Sequence, residues 1–304
     1  MYSVIDIGSN TIRLSVYEAG GGALKPIFRE KSHIGLAGYV SSEGRLSRLG
    51  LERAAEVICQ FCAIVHRLSI PSLAVFATAS LRNISNTQEA LDFLSGRTGC
   101  QIEVLSGEEE ALMDFIGATG AFPLQDGLLV DIGGGSTELV FFRGGAVQRA
   151  LSIPVGSLNL FHRYVSQLLP EPKECARIQR RVAKELDKLD LPQDRRPMIC
   201  GVGGSVRAAG KLARWQADLP PDHRTLSCAV ISQLLDRFCD QRRKNLDLLL
   251  QTVPERIHTL LPGMAVLRQI AQTFHSETIF ISDCGVREGY LLTRVLGTRR
   301  LDGQ

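Results

Sequence analysis

The chain has 304 residues, 44% hydrophobic and 22% charged, and a net charge of +3. This is the balance of a folded globular protein long enough for two domains. It gives no ground for a nucleic-acid partner, no apolar run reaches the roughly 20 residues that span a bilayer, and the chain enters a strand pattern at once without signal-peptide anatomy, so the default location is cytoplasmic.

Residues 2–33 read as three strands joined by glycine turns, the second turn at Gly20–Gly22. The first strand, Ser3-Val-Ile-Asp6, runs into Ile7-Gly8-Ser9-Asn10-Thr11. In the alternating strand that follows, Arg13 faces away from its apolar neighbour Leu14, toward the expected cleft, as a phosphate-binding candidate. A glycine- and serine-containing loop occupies 34–44. Leu46, Leu49, Val57, Ile58, Phe61, Val65 and Leu68 then mark one long amphipathic helix, with Pro71 after its end. A short buried strand, 73–76, leads into Ala77-Thr-Ala-Ser-Leu-Arg82-Asn83. Helix 87–97, strand 101–105 and helix 107–119 complete a βββαβαβα order.

Phe122-Pro123 to Gly127 reads as a hinge, which divides the chain into domains 1–123 and 124–304. The order then restarts. Strands are expected near 128–132, 137–142 and 146–153, and helices near 157–168 and 172–189. Met198-Ile-Cys200 is a strand ending in Gly201-Val-Gly-Gly-Ser205. Helices at 205–214, 229–240 and 262–275, strand 278–281 and a final helix 286–296 follow, with 216–226 as an exposed loop.

Asp131-Ile-Gly-Gly-Gly-Ser-Thr-Glu138 carries the most chemistry. Gly133, Gly134 and Gly135, followed by Ser136, let several amides point into one concavity that suits an anion. Asp131 at the strand end offers a hard oxygen suited to Mg²⁺. The device occurs twice: Asp-Ile-Gly recurs at Asp6, again followed within the loop by a serine. Two copies suggest duplicated half-domains whose phosphate loops face each other across a cleft, with both aspartates near one metal ion. Gly203, Gly204 and Ser205 form a third nest at a strand end. Arg82 offers a guanidinium for phosphate oxygens. Glu108, Glu109 and Glu110 open a helix, where the dipole favours negative charge. They point about 100° apart, so one of them at most faces a site and activates water there.

Eight cysteines are expected as free thiols, Cys59-Gln-Phe-Cys62 among them as core packing within a helix. The histidines have no metal-ligand spacing, and no nucleophile elbow occurs, so acyl chemistry is disfavoured.

At these residues the chain resembles the Ppx/GppA phosphatase family of the actin–hexokinase–Hsp70 superfamily. The matching pieces are Asp6–Asn10 with Arg13-Leu14, Ala77–Arg82, Ser106–Ala111, Asp131–Glu138, Gly201–Ser205 and Gly285-Val-Arg-Glu-Gly289. The resemblance implies an α/β fold of two duplicated ribonuclease-H-like (actin-like ATPase) domains with a cleft between them. It implies Mg²⁺-dependent hydrolysis of a terminal phosphoanhydride in inorganic polyphosphate or guanosine pentaphosphate. Carried over by position, Glu110 is the general base, with Glu109 as the fallback. Asp6 and Asp131 serve the metal, with Glu138 as helper. Gly8, Ser9, Asn10, Gly133, Gly134, Gly135 and Ser136 cradle phosphates, and Arg82 holds the transferring group. The resemblance is to the short, two-domain members, so the extra C-terminal domains of long members are not expected. The chain has His33-Ile-Gly35-Leu-Ala-Gly38 where an arginine is common, and Arg256-Ile-His258 where Arg-Ala-Asp is common.

Two other function classes stay open at this point. One is a small-molecule kinase that transfers phosphate to an acceptor; the other is a non-catalytic sensor of polyphosphate or nucleotide. A homodimer is the base expectation for assembly.

Overall fold

A computed structural model describes residues 1–20, 23–192, 194–240 and 242–301; the expected turn residues Gly21 and Gly22 lie outside them. Two units divide the chain, one of Met1–Ala121 with Val286–Gln304 and one of Phe122–Gly285.

The first unit contains β1 (Tyr2–Ile7), β2 (Thr11–Gly20), β3 (Ala23–His33), α1 (Arg48–Arg67), β4 (Leu73–Ala77), α2 (Ala79–Arg82), α3 (Thr87–Thr98), β5 (Glu103–Val104) and α4 (Gly107–Ala121). Its strands lie in the order β3-β2-β1-β4-β5. β1 to β3 form an antiparallel meander, and β4 and β5 run parallel to β1. Strand alternation sorts the side chains onto two faces. Ile5, Ile7, Ile12, Leu14 and Val16 pack with Ile58 and Phe61 of α1 and Leu94 of α3. Val4 and Tyr17 turn the other way and meet Met113 of α4. A strand covered on both faces explains why β1 reads as an almost unbroken apolar run, interrupted inside the sheet by Ser3 and Asp6.

The second unit contains β6 (Gly127–Ile132), β7 (Thr137–Arg143), β8 (Ala146–Ile153), α5 (Ser157–Tyr164), α6 (Pro172–Leu186), β9 (Met198–Val202), α7 (Gly203–Gln216), β10 (Thr225–Ser227), α8 (Cys228–Asp240), α9 (Arg242–Thr252), α10 (Leu260–Thr273) and β11 (Thr278–Ile281). Its sheet order is β10-β11-β9-β6-β7-β8. Read from β8, the arrangement of the first unit recurs: a meander, then two strands parallel to its first member. β10 is an addition, pairing antiparallel with β11 at the edge. It lies at the border of the expected exposed loop and is only three residues long, too short for an alternation to register. α9 was not anticipated either; its polar start hides an apolar run held by the buried side chain of Asn245, which donates to the Arg237 carbonyl at 3.0 Å.

The end of the chain departs from expectation. The sequence assigned 286–296 to the second domain as one helix, whereas α11 (Val286–Tyr290) belongs to the first unit and opens into a π-helical turn, Leu291–Val295. Tyr290 and Leu291 supply apolar surface to the α4 side of the first sheet, with Val4, Phe76 and Met113. Gly289 lies so close to α4 that a Cβ there would overlap the Met113 carbonyl. Hydrophobic periodicity reports that a helix is covered without reporting by which sheet.

All eight cysteines are free. Cys62 packs with its sulfur 3.3 Å from Cys100, but Cys59 is exposed, so core packing describes only one member of that pair. Among the described residues no helix is long and apolar enough to cross a membrane.

Candidate active site

The two aspartate-headed loops share one turn. The Gly8 amide donates to the Thr11 carbonyl at 3.1 Å, and the Gly133 amide to the Ser136 carbonyl at 3.0 Å. Each loop is braced from behind through its carbonyls. Those of Ser9 and Asn10 accept the amides of Ala37 and Gly35, both at 3.0 Å. The Gly133 carbonyl accepts both the amide and the hydroxyl of Ser157 at 2.9 Å, and the Gly134 carbonyl accepts the Leu158 and Asn159 amides at 3.1 Å. The latter are opening amides of α5, which a helix cannot satisfy internally. With these carbonyls committed and the Gly8 and Gly133 amides spent on closing the turns, the groups each loop can offer an anion are its intervening amides.

Strand register gives the two loops different charge. Asp6 faces Arg13 across β1 and β2, while Asp131 faces Glu138 across β6 and β7. Asp6 is buried, and desolvation pushes its carboxyl pKa up; Arg13 and Arg287 pull it down, and Glu288 adds to the rise. Glu138 is buried as well, its Oε1 accepting the hydroxyls of Ser136 at 2.6 Å and Ser152 at 2.8 Å. The Ser136 hydroxyl is thus turned inward, which leaves its backbone amide as the group suited to phosphate.

The third nest abuts Asp131. Gly203 opens α7 with φ +82°, and a Cβ there would overlap Asp131 Oδ1. Only glycine accepts both the left-handed backbone and the close carboxylate. Gly204 lies beneath the guanidinium of Arg256, and buried Ser205 places its hydroxyl 3.4 Å from that of Ser157. Arg256 is the functional candidate missed among the expected site residues. Its only sequence signal was its place before the Leu-Pro-Gly run. Burial lowers its pKa and Arg207 adds repulsion, while Glu255 and Asp131 oppose the shift.

The three consecutive glutamates separate as helix geometry requires. Glu109 forms a capping box at the start of α4: Oε2 accepts the Ser106 amide at 2.9 Å, and the Glu109 amide donates to the Ser106 hydroxyl at 3.1 Å. Glu109 also pairs with Arg294 at 2.5 Å. Glu110 turns inward and is 7% exposed. Its Oε2 lies 2.7 Å from Arg82 Nη1, which also donates to the Leu105 carbonyl at 3.0 Å. The first unit therefore joins Arg82 to Glu110 and sets Asp6 opposite Arg13; the second gathers Asp131, Glu138 and Gly203. Among the described residues no group of three or more His, Cys, Asp or Glu side chains could hold a metal ion by itself.

A repeated sheet order and paired aspartate-headed loops define a two-domain α/β protein of the actin-like ATPase type. A model of the Ppx/GppA phosphatase family matches residues 15–297, and the chain belongs to that family. It is similar to the Ppx/GppA family member of Aquifex aeolicus, at 26% identity over 98% of both chains with a TM-score of 0.79. It is also similar to a protein described as exopolyphosphatase-like, at 25% identity over 96% of both chains with a TM-score of 0.84. An exopolyphosphatase from Cytophaga hutchinsonii shares the fold, with a TM-score of 0.86 at 20% identity over 97% of this chain and 98% of that one.

Proposed function

We propose that the chain is an exopolyphosphatase that hydrolyses the terminal phosphoanhydride of inorganic polyphosphate and releases orthophosphate with Mg²⁺ as cofactor. The observation that carries the reading is the buried Glu110 paired with Arg82 in a member of a phosphatase family. The exopolyphosphatase-like relative supports polyphosphate as the substrate class.

The donor set fits Mg²⁺. In the second unit Asp131 and Glu138 offer carboxylate oxygens, and glycine at 203 leaves room for Asp131 where a side chain would lie on the oxygen; in the first unit Asp6 offers another. Such an ion is usually held by one or two carboxylates, with water and substrate phosphate completing its shell. When bound, Mg²⁺ supplies charge neutralisation to the phosphates.

The protein side of the reaction rests on its own residues. The amides of Ser9 and Asn10 in one loop and of Gly134, Gly135 and Ser136 in the other donate to phosphate oxygens, while those of Gly8 and Gly133, expected among the phosphate donors, close the turns instead. Glu110 accepts a proton from water as the water oxygen bonds to the terminal phosphorus, and the bridging P–O bond breaks toward the shortened chain. Arg82 orients Glu110 and exchanges toward the phosphoryl oxygens as charge spreads over them. Positioning and charge stabilisation dominate such transfers.

The test is orthophosphate release from short and long polyphosphate and from guanosine pentaphosphate at equal concentrations, with and without chelator. Polyphosphate is expected to be the better substrate, with release abolished by chelation. Faster release from guanosine pentaphosphate would move the substrate to the nucleotide. Binding without release would make the chain a sensor, and phosphate found on an acceptor other than water would make it a kinase.

A further inference from the structure

We infer that Arg287 and Glu288, on the short helix α11, are positioning residues that fix the distance between the Asp6 loop and Glu110. The inference rests on the reading of the site given above.

The strand register places a polar row beneath this helix. Asp6 pairs with Arg13, Val4 with Ser15 and Tyr2 with Tyr17, so Arg13, Ser15 and Tyr17 share one face of β2 at alternate positions. That face is the one covered by α4 and α11, because Val4 and Tyr17 pack there with Met113, Tyr290 and Leu291. Two members of the row are gripped from above. Arg287 Nη1 donates to the Ser15 hydroxyl at 3.0 Å. The Tyr17 hydroxyl donates to Glu288 Oε1 at 2.5 Å, and Arg29 Nη2 donates to the same oxygen at 3.2 Å. The third member, Arg13, is the cross-strand neighbour of Asp6.

The same helix is fixed to α4. The Val286 amide donates to Asp114 Oδ1 at 2.7 Å, and Gly289 brings the helix backbone against the Met113 carbonyl. Asp114 is fully buried and sits one turn beyond Glu110 on α4. One element thus holds β2 with its side chains and α4 with its backbone, and the two candidate catalytic features of the unit lie at the ends of that span.

Burial makes a purely structural role a poor account of the charges. Arg287 and Glu288 are 7% and 3% exposed. Well-packed apolar side chains of similar volume commonly serve stability as well as buried ions do. What ions add is directional bonding, here to a hydroxyl on each of two alternate strand positions, which fixes the helix along the strand as well as above it.

The experiment compares wild type with Arg287→Met, Arg287→Lys and Ser15→Ala. Four quantities are read: Tm, the rise in Tm on adding Mg²⁺ with tripolyphosphate, and kcat and KM for phosphate release. Misplacement of a reacting group by about 1 Å can cost ~10²-fold in rate. The expectation is that Arg287→Met loses kcat on that scale while KM and the ligand-induced Tm rise change little, and that Arg287→Lys recovers part of the loss. Ser15→Ala, which removes one contact and no charge, covers the case in which Arg287→Met does not fold, and should lower kcat with Tm nearly unchanged. Folded variants with wild-type kcat would overturn the inference alone. A wild type that neither releases phosphate nor gains stability from the ligand would overturn the reading of the site, and the inference with it.

Discussion

Arg82 Nη1 stands 2.7 Å from Glu110 Oε2 and donates also to the Leu105 carbonyl, so one guanidinium nitrogen joins the strand-end turn of β5 to the carboxylate at the head of α4. Glu110→Gln preserves the shape and an acceptor for Arg82 but removes the proton-accepting charge. Loss of a positioned base costs ~10²–10⁴-fold in rate. We expect kcat for phosphate release to fall within that range with KM little changed. A variant turning over at the wild-type rate would take Glu110 out of the chemistry.

Glu109 responds to acid in a defined direction. The Ser106 amide, assisted by the Ser106 hydroxyl and Arg294, holds its carboxyl below the ordinary value of 4.5. The unfolded chain therefore binds the proton more readily. The stabilisation is complete above 4.5 and fades as the pH falls through the lower, folded value. Glu109→Gln should lower Tm at neutral pH by an amount on the order of 1–2 °C. Differential scanning calorimetry across the acid range should show the gap to wild type closing; a gap that widens in acid contradicts the assignment.

Gly203→Ala combines a left-handed backbone with an overlap on Asp131, whereas Gly99→Ala has φ +71° and open space around it. A non-glycine residue in such a conformation costs about 1–3 kcal/mol. Urea titration should place Gly99→Ala in that range and Gly203→Ala beyond it. Only the latter should also lose phosphate release, because it displaces a carboxylate of the site.

The thiols should label in order of access and ionisation. Cys59 is exposed, whereas burial and the Cys100 sulfur push Cys62 up to about 12, and burial pushes Cys228 up to about 11. Alkylation near pH 8 acts on the thiolate. Peptide mass spectrometry should find Cys59 modified first, with Cys62 and Cys228 lagging well behind. Earlier labelling of Cys62 would mean that its contact with Cys100 does not persist in solution.

Much of the candidate site was legible because it is local. The Asp-Ile-Gly repeats announced two equivalent turns, and the structure gives both the same amide-to-carbonyl bond. The separation of Glu109 from Glu110 was open to reading too, since Ser106 three residues before Glu109 is a capping-box pattern. What the sequence hid is long-range. Arg256 lies fifty-odd residues from Gly204, and its approach depends on that glycine having no side chain. The partners of Ser15 and Tyr17 are far along the chain, at Arg287 and Glu288. Periodicity identifies a covered face but carries no address for the element that covers it.

The return of α11 to the first sheet bears on how the protein is made. The second unit is an unbroken stretch and can close its sheet as it leaves the ribosome. The first cannot: until residues past 285 emerge, Val4, Phe76 and Met113 lack the Tyr290 and Leu291 side chains that complete their cluster. The half translated earlier is therefore sealed later, when Tyr290 and Leu291 reach the first sheet.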